Sequence, residues 1–421
     1  MGSDAPAVPF RDTVPSRCAA RLPGAVGPAL DPIYRSEINR DTKPAAPGEF
    51  APLALGPLRV WPPVVLAPMA GVTNFPFRAL CRRYGAGLYV SEMITAKALA
   101  LGNRKTWELA AFGPGESPRS MQLYGVEPLS LGEATRMLVG EGHVDHIDLN
   151  FGCPVRKVTS KGGGSAIPLK PRLLRRLVRA VVSNAGAVPV TMKFRIGVDE
   201  GLFTYRDAGA IGEEEGCVAV ALHARTAAQL YDGEARWEMI ADLKSRVAVP
   251  VLGNGDIWEG EDALRMMRQT GCDGVVVGRG CLGRPWLFRD LAELFEGRSP
   301  PNPPDFGEAL DVMLQHARLL CAWVGEERGM VQMRKFTSWY TKSFRGGAPL
   351  RQRLARVATL DELARLTADA DRALPFPPAG MRTRRGKRSG TQRVHLPHGY
   401  LDHLDDDTPP GAEAEEAESG G

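Results

Sequence analysis

Residues 146 to 164 read HIDLNFGCPVRKVTSKGGG. They begin as an apolar run typical of a strand that is buried on both faces. They end as a basic, glycine-rich segment that contains a single thiol, Cys153. The stretch therefore predicts a β-strand that opens into a flexible loop, where functional residues are often found.

Seven other apolar runs resemble this one and alternate with segments of helical length. In chain order the eight runs are 64–67, 88–91, 120–123, 146–149, 190–194, 218–222, 250–252 and 274–277. Between the fourth and fifth runs, Pro171 to Asn184 places leucines and valines on one face of a helix. Eight strand and helix units predict an α/β protein with a (β/α)8 TIM barrel, which takes about 250 residues. A doubly wound sheet is the alternative, but the chain lacks its G-x-G-x-x-G fingerprint after the first run.

Changes in composition divide the chain into four parts. Residues 1–52 are rich in Pro, Ala and Gly and predict a mobile extension, and the barrel should occupy residues 53–298. A proline-rich linker then leads into helical patterns that predict a small all-helical domain over residues 299–374. Residues 375–421 carry a basic cluster followed by an acidic end, which predicts a disordered tail.

Composition excludes several classes of protein. The 421 residues carry a net charge of only +4, so nucleic-acid binding would have to be a local property. The seven cysteines are scattered without a C-x-x-C pair, which argues against a disulfide framework or a metal site. Without a leader or a long apolar run, we expect a cytoplasmic monomer with no membrane span.

Active sites of TIM barrels lie at the carboxyl ends of the strands. The residues that the eight runs deliver there are Pro68, Met69, Ala70, Gln122, Asn150, Cys153, Lys193, Arg195, His223, Asn254, Gly255, Asp256, Gly278 and Arg279. Any one of them has a structural explanation as a turn or packing residue, but together they favour a site. The last two loops form the usual phosphate site of such barrels, and Arg279 can bind the anion. With an amide at Gln122 and an ammonium at Lys193, the set fits flavin mononucleotide (FMN).

A second cluster of charge lies in the helical region. From residue 328 to residue 356 the chain has eight basic residues and no acidic one, interleaved with aromatic residues. The eight are Arg328, Arg334, Lys335, Lys342, Arg345, Arg351, Arg353 and Arg356. Because helices usually carry both signs, a segment of one sign predicts contact with nucleic-acid phosphates.

Eight motifs resemble the tRNA-dihydrouridine synthase family, and most closely its bacterial B-type branch. They are LAPMAGVTN (66–74), QLYG (122–125), DLNFGCPVRKV (148–158), KGGG (161–164), MKFRIG (192–197), HART (223–226), GNGD (253–256) and GRG (278–280). The resemblance spans about residues 53 to 370 and includes neither end of the chain.

The resemblance implies a role for each matching residue. Residues 53–298 would bind flavin and residues 299–374 would bind tRNA. Flavin contacts are expected from Pro68, Met69, Ala70, Gln122, Lys193, His223, Asn254, Gly255, Asp256, Gly278 and Arg279. The resemblance places Asn150 beside the substrate base. We also expect substrate contacts from Lys161 and Arg195, and from Arg334 and Lys335 of the basic segment. Cys153 would be the proton donor.

The implied reaction is the NADPH-dependent reduction of specific uridines in tRNA to 5,6-dihydrouridine. Reduced FMN would give a hydride to C6 of the base, and Cys153 would protonate C5 from the opposite face. A free thiol has a pKa of about 8.5 and is mostly protonated at neutral pH, as an acid must be. Two alternatives remain open: an FMN barrel that acts on a free pyrimidine, like a dihydroorotate dehydrogenase, and an RNA-binding barrel without catalysis.

Overall fold

The computed structural model describes residues 30–386 and 390–411. Eight parallel strands close into a barrel, in which each strand pairs with the next one along the chain and the last pairs with the first. They are β3 (Val64–Leu66), β4 (Leu88–Thr95), β5 (Ser120–Tyr124), β6 (His146–Phe151), β7 (Val190–Arg195), β8 (Ala219–His223), β9 (Val251–Asn254) and β10 (Gly274–Val277). A short hairpin, β1 (Leu53–Leu55) and β2 (Leu58–Val60), precedes them. Each apolar run supplies one barrel strand, so the predicted (β/α)8 fold is confirmed.

The strand register pairs polar residues of neighbouring strands with one another. Gln122 on β5 pairs with Asp148 on β6, and Asn150 pairs with Lys193 on β7. His223 on β8 pairs with Asn254 on β9. Because side chains alternate along a strand, these partners project together at the carboxyl end of the barrel.

Helices surround the barrel at Phe75–Arg83, Ala96–Ala100, Arg104–Ala110, Pro128–Gly140, Arg156–Thr159, Pro171–Ala185, Tyr205–Glu214, Trp237–Lys244, Gly260–Thr270 and Leu287–Phe295. The predicted amphipathic helix is present at Pro171–Ala185 and buries its leucines and valines. No helix in the described ranges has the length and apolarity needed to cross a bilayer.

A helical region follows the barrel, as predicted. Its helices are Phe306–Val324, Glu326–Tyr340, Gly347–Leu354 and Leu360–Ala368. Asp305 and Glu308 form a capping box that begins the first of them. Phe77 of the barrel packs against His316 and Phe336, with ring centroids 5.5 and 5.9 Å apart. This contact fixes the helical region beside the carboxyl end of the barrel.

The two ends of the chain differ from the sequence expectation where the structure describes them. Residues 30–52, 375–386 and 390–411 all contact the barrel instead of extending away from it. The physical reason is that their charged and polar groups meet partners there: Asn39 and Arg382 both bind the buried carboxylate of Asp262, at 2.9 and 2.8 Å. The expectations for residues 1–29, 387–389 and 412–421 lie outside the described residues.

Candidate active site

A cavity of about 380 Å³ opens at the carboxyl ends of the barrel strands. Every barrel strand or the loop directly after it contributes to the lining. The predicted site residues that line it are Pro68, Met69, Ala70, Gln122, Asn150, Cys153, Lys193, Arg195, His223, Asn254, Gly255, Asp256, Gly278, Arg279 and Lys335. The volume is in the range of a small-molecule or cofactor site.

Two predicted site residues do not line this cavity. Arg334 donates from Nε to the carbonyl oxygen of Val357 at 3.0 Å and so braces the helical region. Lys161 also lies away from the lining, whereas Lys157, on the short helix Arg156–Thr159, is part of it. Sequence spacing alone could not show whether Lys157 or Lys161 lines the cavity, because the path of the loop determines which lysine faces inward.

A chain of hydrogen bonds fixes the amide side chains of Gln122 and Asn150. Asp148 accepts from Nε2 of Gln122 at 2.7 Å, and Gln122 in turn accepts from Nδ2 of Asn150 at 2.9 Å. Asn150 then uses Oδ1 to accept from the backbone N–H groups of Gly152 and Cys153, each at 3.1 Å. Burial raises the pKa of Asp148, while bonds from Thr191 and Gln122 favour its charged form. The chain therefore links the barrel interior to the backbone of Cys153.

The loop that carries Cys153 is packed, although its glycines predicted flexibility. Arg195 donates to the carbonyl oxygen of Gly152 at 3.0 Å, and the N–H of Ser165 donates to that of Cys153 at 3.0 Å. Gly164 has a φ of +55°, and a Cβ there would lie 2.5 Å from the Cys153 carbonyl oxygen. This glycine is needed for close approach of two backbones, so the half-buried thiol has a defined position.

The cavity is electropositive. Burial, with the nearby Arg195, lowers the pKa of Lys193 to about 8. Burial also lowers the pKa of Arg195 and of Arg279 to about 10. Burial and the surrounding cations hold the pKa of His223 well below its usual range, so its imidazole is neutral. Such crowding of cations is costly without an anion, so the site is suited to a negatively charged ligand.

Two arginines of the cavity each have a buried donor that finds no acceptor among the described residues. Arg225 binds Asp256 through Nη2 at 2.7 Å, and Asp256 also accepts from the N–H of Ala235. Arg279 lies over the rings of Tyr231 and Trp258, 4.4 and 5.2 Å from their centroids. Within residues 30–386 and 390–411 no acceptor reaches Nη1 of either arginine, although both atoms are buried. Buried donors of this kind call for a partner, and a phosphate at the loops after β9 and β10 would provide it.

Several lining residues were not predicted from the sequence. They are Val72, Met93, Lys157, Tyr231, Trp258, Leu282, Trp339 and Gly386, among others. Trp339 is one of the aromatic residues interleaved with the basic segment, and this pattern could have indicated from the sequence that it lies at the site. Tyr231 and Trp258 lie on loops whose course depends on packing, and no periodicity marks them.

The structure is thus a (β/α)8 barrel with a cation-lined cavity at the carboxyl ends of its strands and a thiol in the lining of that cavity. Residues 65–374 match the dihydrouridine synthase family. A probable tRNA-dihydrouridine synthase of Mycobacterium tuberculosis (strain H37Rv) is 52 % identical over 373 residues, which cover 86 % of this chain and 96 % of that protein. The tRNA-dihydrouridine synthase B of Pseudomonas aeruginosa is 40 % identical over 309 residues, which cover 73 % and 92 %. A solved structure of an old yellow enzyme homologue from Zymomonas mobilis aligns with a TM-score of 0.41 and 14 % identity, over 57 % of this chain and 91 % of that one.

The chain therefore belongs to the dihydrouridine synthase family and is an enzyme. The resemblance drawn from the eight motifs is confirmed.

Proposed function

We propose that this enzyme reduces the C5–C6 double bond of uridines in tRNA to 5,6-dihydrouridine, with FMN as cofactor and NADPH as reductant. Family membership and the names of the relatives support the reaction class. The observation that carries the proposal is the placement of Cys153 in the same cavity as Lys193 and the buried Nη1 groups of Arg225 and Arg279. A proton donor thus faces a site built for an anionic ligand.

The residues present fit FMN. The phosphate would lie at the loops after β9 and β10, where Gly278, Arg279 and Arg225 offer N–H groups. The amide of Gln122 and the ammonium of Lys193 would bond the edge of the flavin ring. When bound, FMN supplies the hydride chemistry that the side chains of the chain lack.

The chain itself handles the base and the proton. A uridine must leave its stack to enter the cavity, which costs a few kcal/mol. Lys335 and Trp339 line the cavity from the helical region and would contact the RNA as it enters. Asn150 would hold the base edge, and Cys153 would deliver a proton to C5 as general acid.

One experiment tests the cofactor and the acceptor together. The visible spectrum of the purified protein is recorded, followed by anaerobic NADPH and then unmodified tRNA in the same cuvette. We expect flavin bands that bleach with NADPH and return with tRNA. Bands that recover only with a free pyrimidine would transfer the assignment to a metabolite reductase, and a colourless protein that binds no added FMN would refute the cofactor.

A variant tests the phosphate site separately. Arg279→Ala removes one of the two cavity guanidinium groups whose buried Nη1 has no acceptor among the described residues, so we expect FMN affinity to fall about 10- to 100-fold, as for loss of a charged hydrogen bond. Riboflavin, which has no phosphate, is the control ligand and should bind wild type and variant alike. An equal loss for both ligands in fluorescence titrations would place Arg279 at the ring and not at the phosphate.

A further inference from the structure

A segment outside the family-matched residues contacts the loop of the proposed proton donor. Residues 390–411, here called the C-terminal strap, follow the family match at residues 65–374. The strap contacts the stretch 153–166, here called the cysteine loop, at two places: at Pro154, the residue after Cys153, and at Gly162 and Ala166.

The first contact is at the residue after the thiol. Gln392 donates from Nε2 to the carbonyl oxygen of Pro154 at 2.6 Å and lies 3.1 Å from that of Ala227. Its backbone N–H donates to the carbonyl oxygen of Ala228 at 2.8 Å. Gln392 therefore ties the start of the cysteine loop to the loop that follows β8.

The second contact is at the glycines that end the cysteine loop. The Tyr400 hydroxyl lies 3.2 Å from the carbonyl oxygens of both Gly162 and Ala166, and the side chain is buried. Gly162 has a φ of +81°, and a Cβ there would lie 2.9 Å from the Tyr400 ring. The glycine motif thus leaves room for the strap, and the backbone two residues later packs on the carbonyl oxygen of Cys153.

Apolar contacts and ion pairs hold the strap in place. Tyr400 packs in a small cluster with Ala166, Leu169 and Val198. Three consecutive aspartates then pair with basic residues on, or directly before, the helix Pro171–Ala185: the pairs are Asp405 with Arg172 at 3.8 Å, Asp406 with Lys170 at 3.0 Å and Asp407 with Arg176 at 3.0 Å. These three aspartates therefore anchor the strap to the start of that helix.

We propose that the C-terminal strap positions Cys153 for proton transfer, with Gln392 and Tyr400 as positioning residues. The strap holds the cysteine loop at Pro154 and at Gly162, on either side of the short helix Arg156–Thr159. Releasing it lets the loop open and changes both the exposure of the thiol and the rate at which it delivers a proton. The catalytic half of this inference rests on the proposed function, whereas the structural half does not.

The experiment compares the full-length wild type with Tyr400→Phe and with Gln392→Ala/Tyr400→Phe. Two quantities are measured: the alkylation rate of Cys153 by iodoacetamide, resolved by mass spectrometry of its peptide, and kcat and KM for dihydrouridine formation in tRNA. Tyr205→Phe is the matched control, because it removes a buried tyrosine's hydroxyl bond to Asp242 on an outer helix. Thermal unfolding identifies any variant that has lost its fold, and Asp406→Asn then replaces it as a milder release of the strap.

We expect Cys153 alkylation to rise about fivefold in Tyr400→Phe, as for loss of one hydrogen bond, and further in the double variant. We expect kcat to fall in the same order with little change in KM, and the control to behave as wild type. Unchanged alkylation overturns the proposal, and so does faster alkylation with an unchanged kcat. A wild type that forms no dihydrouridine refutes the proposed function, while the alkylation rates still decide whether the strap holds the loop.

Discussion

The proposed role of Cys153 as a proton donor can be tested by a substitution that leaves the backbone of its loop in place. In Cys153→Ala we expect normal binding of flavin and tRNA, because hydrogen bonds to Asn150, Arg195 and Ser165 hold the backbone of the loop. We expect dihydrouridine formation to fall at least about 100-fold, as for loss of a general acid. Cys321→Ala, which removes a buried thiol from the helical region, is the control and should retain turnover. Near-normal turnover by Cys153→Ala would remove the thiol from the mechanism.

Lys193 gives a prediction about pH. Its pKa is about 8 in the folded chain against a usual value of 10.5, so between these values the unfolded chain binds more protons. Stability contributed by this residue therefore rises with pH across that window, by up to about 1.4 kcal/mol per pH unit, and is flat below it. Urea unfolding of flavin-free wild type and Lys193→Met at several pH values measures the difference. A difference that stays constant from pH 7 to pH 10 would show that Lys193 is not perturbed.

The positions of the strand-end residues in the cavity could be predicted from the sequence, because two simple rules determine those positions. Alternation along a strand and parallel register bring Gln122, Asn150 and Lys193 to one end of the barrel once the eight runs are recognised. The same rules say nothing about a residue on a loop. Lys161 and Arg334 were therefore assigned to the site by position in a motif or a charge cluster, and the structure places them outside the cavity lining.

At the scale of the element, the cysteine loop shows what its glycines do. Gly164 and Gly271 both have a positive φ, +55° and +70°, but a Cβ at Gly164 would overlap the Cys153 carbonyl oxygen, whereas no described atom lies within 4 Å of one at Gly271. Both alanine variants should lose stability from the unfavourable φ. Gly164→Ala should lose about 1–3 kcal/mol more because of overpacking. Equal losses in urea unfolding would mean that the loop relaxes freely and that the contact with Cys153 is weak.

At the scale of the whole molecule, the ends of the chain were the hardest part to predict. Their composition is that of disordered segments, and the partners that order residues 30–52, 375–386 and 390–411 lie far away in the sequence. Asp262 is an example, since it is fully buried and accepts from both Asn39 and Arg382. No local sequence pattern in either end of the chain indicates that it will bind Asp262. The ordered conformation of these segments is therefore explained only by the folded barrel.

The proposed binding of tRNA also involves the whole molecule, because the RNA must contact the helical region while one base enters the barrel. The basic residues of the segment differ in their surroundings. Arg345 is exposed between the helices Glu326–Tyr340 and Gly347–Leu354, whereas Arg334 donates a hydrogen bond to the Val357 carbonyl oxygen. If Arg345 contacts a phosphate, Arg345→Ala should reduce the slope of log affinity for tRNA against log salt by about 1. Arg334→Ala, the matched control, should leave the slope unchanged and lower stability by about 1 kcal/mol through loss of its hydrogen bond. The reverse result, in which Arg334 changes the slope and Arg345 does not, would place the RNA on another face of the helical region.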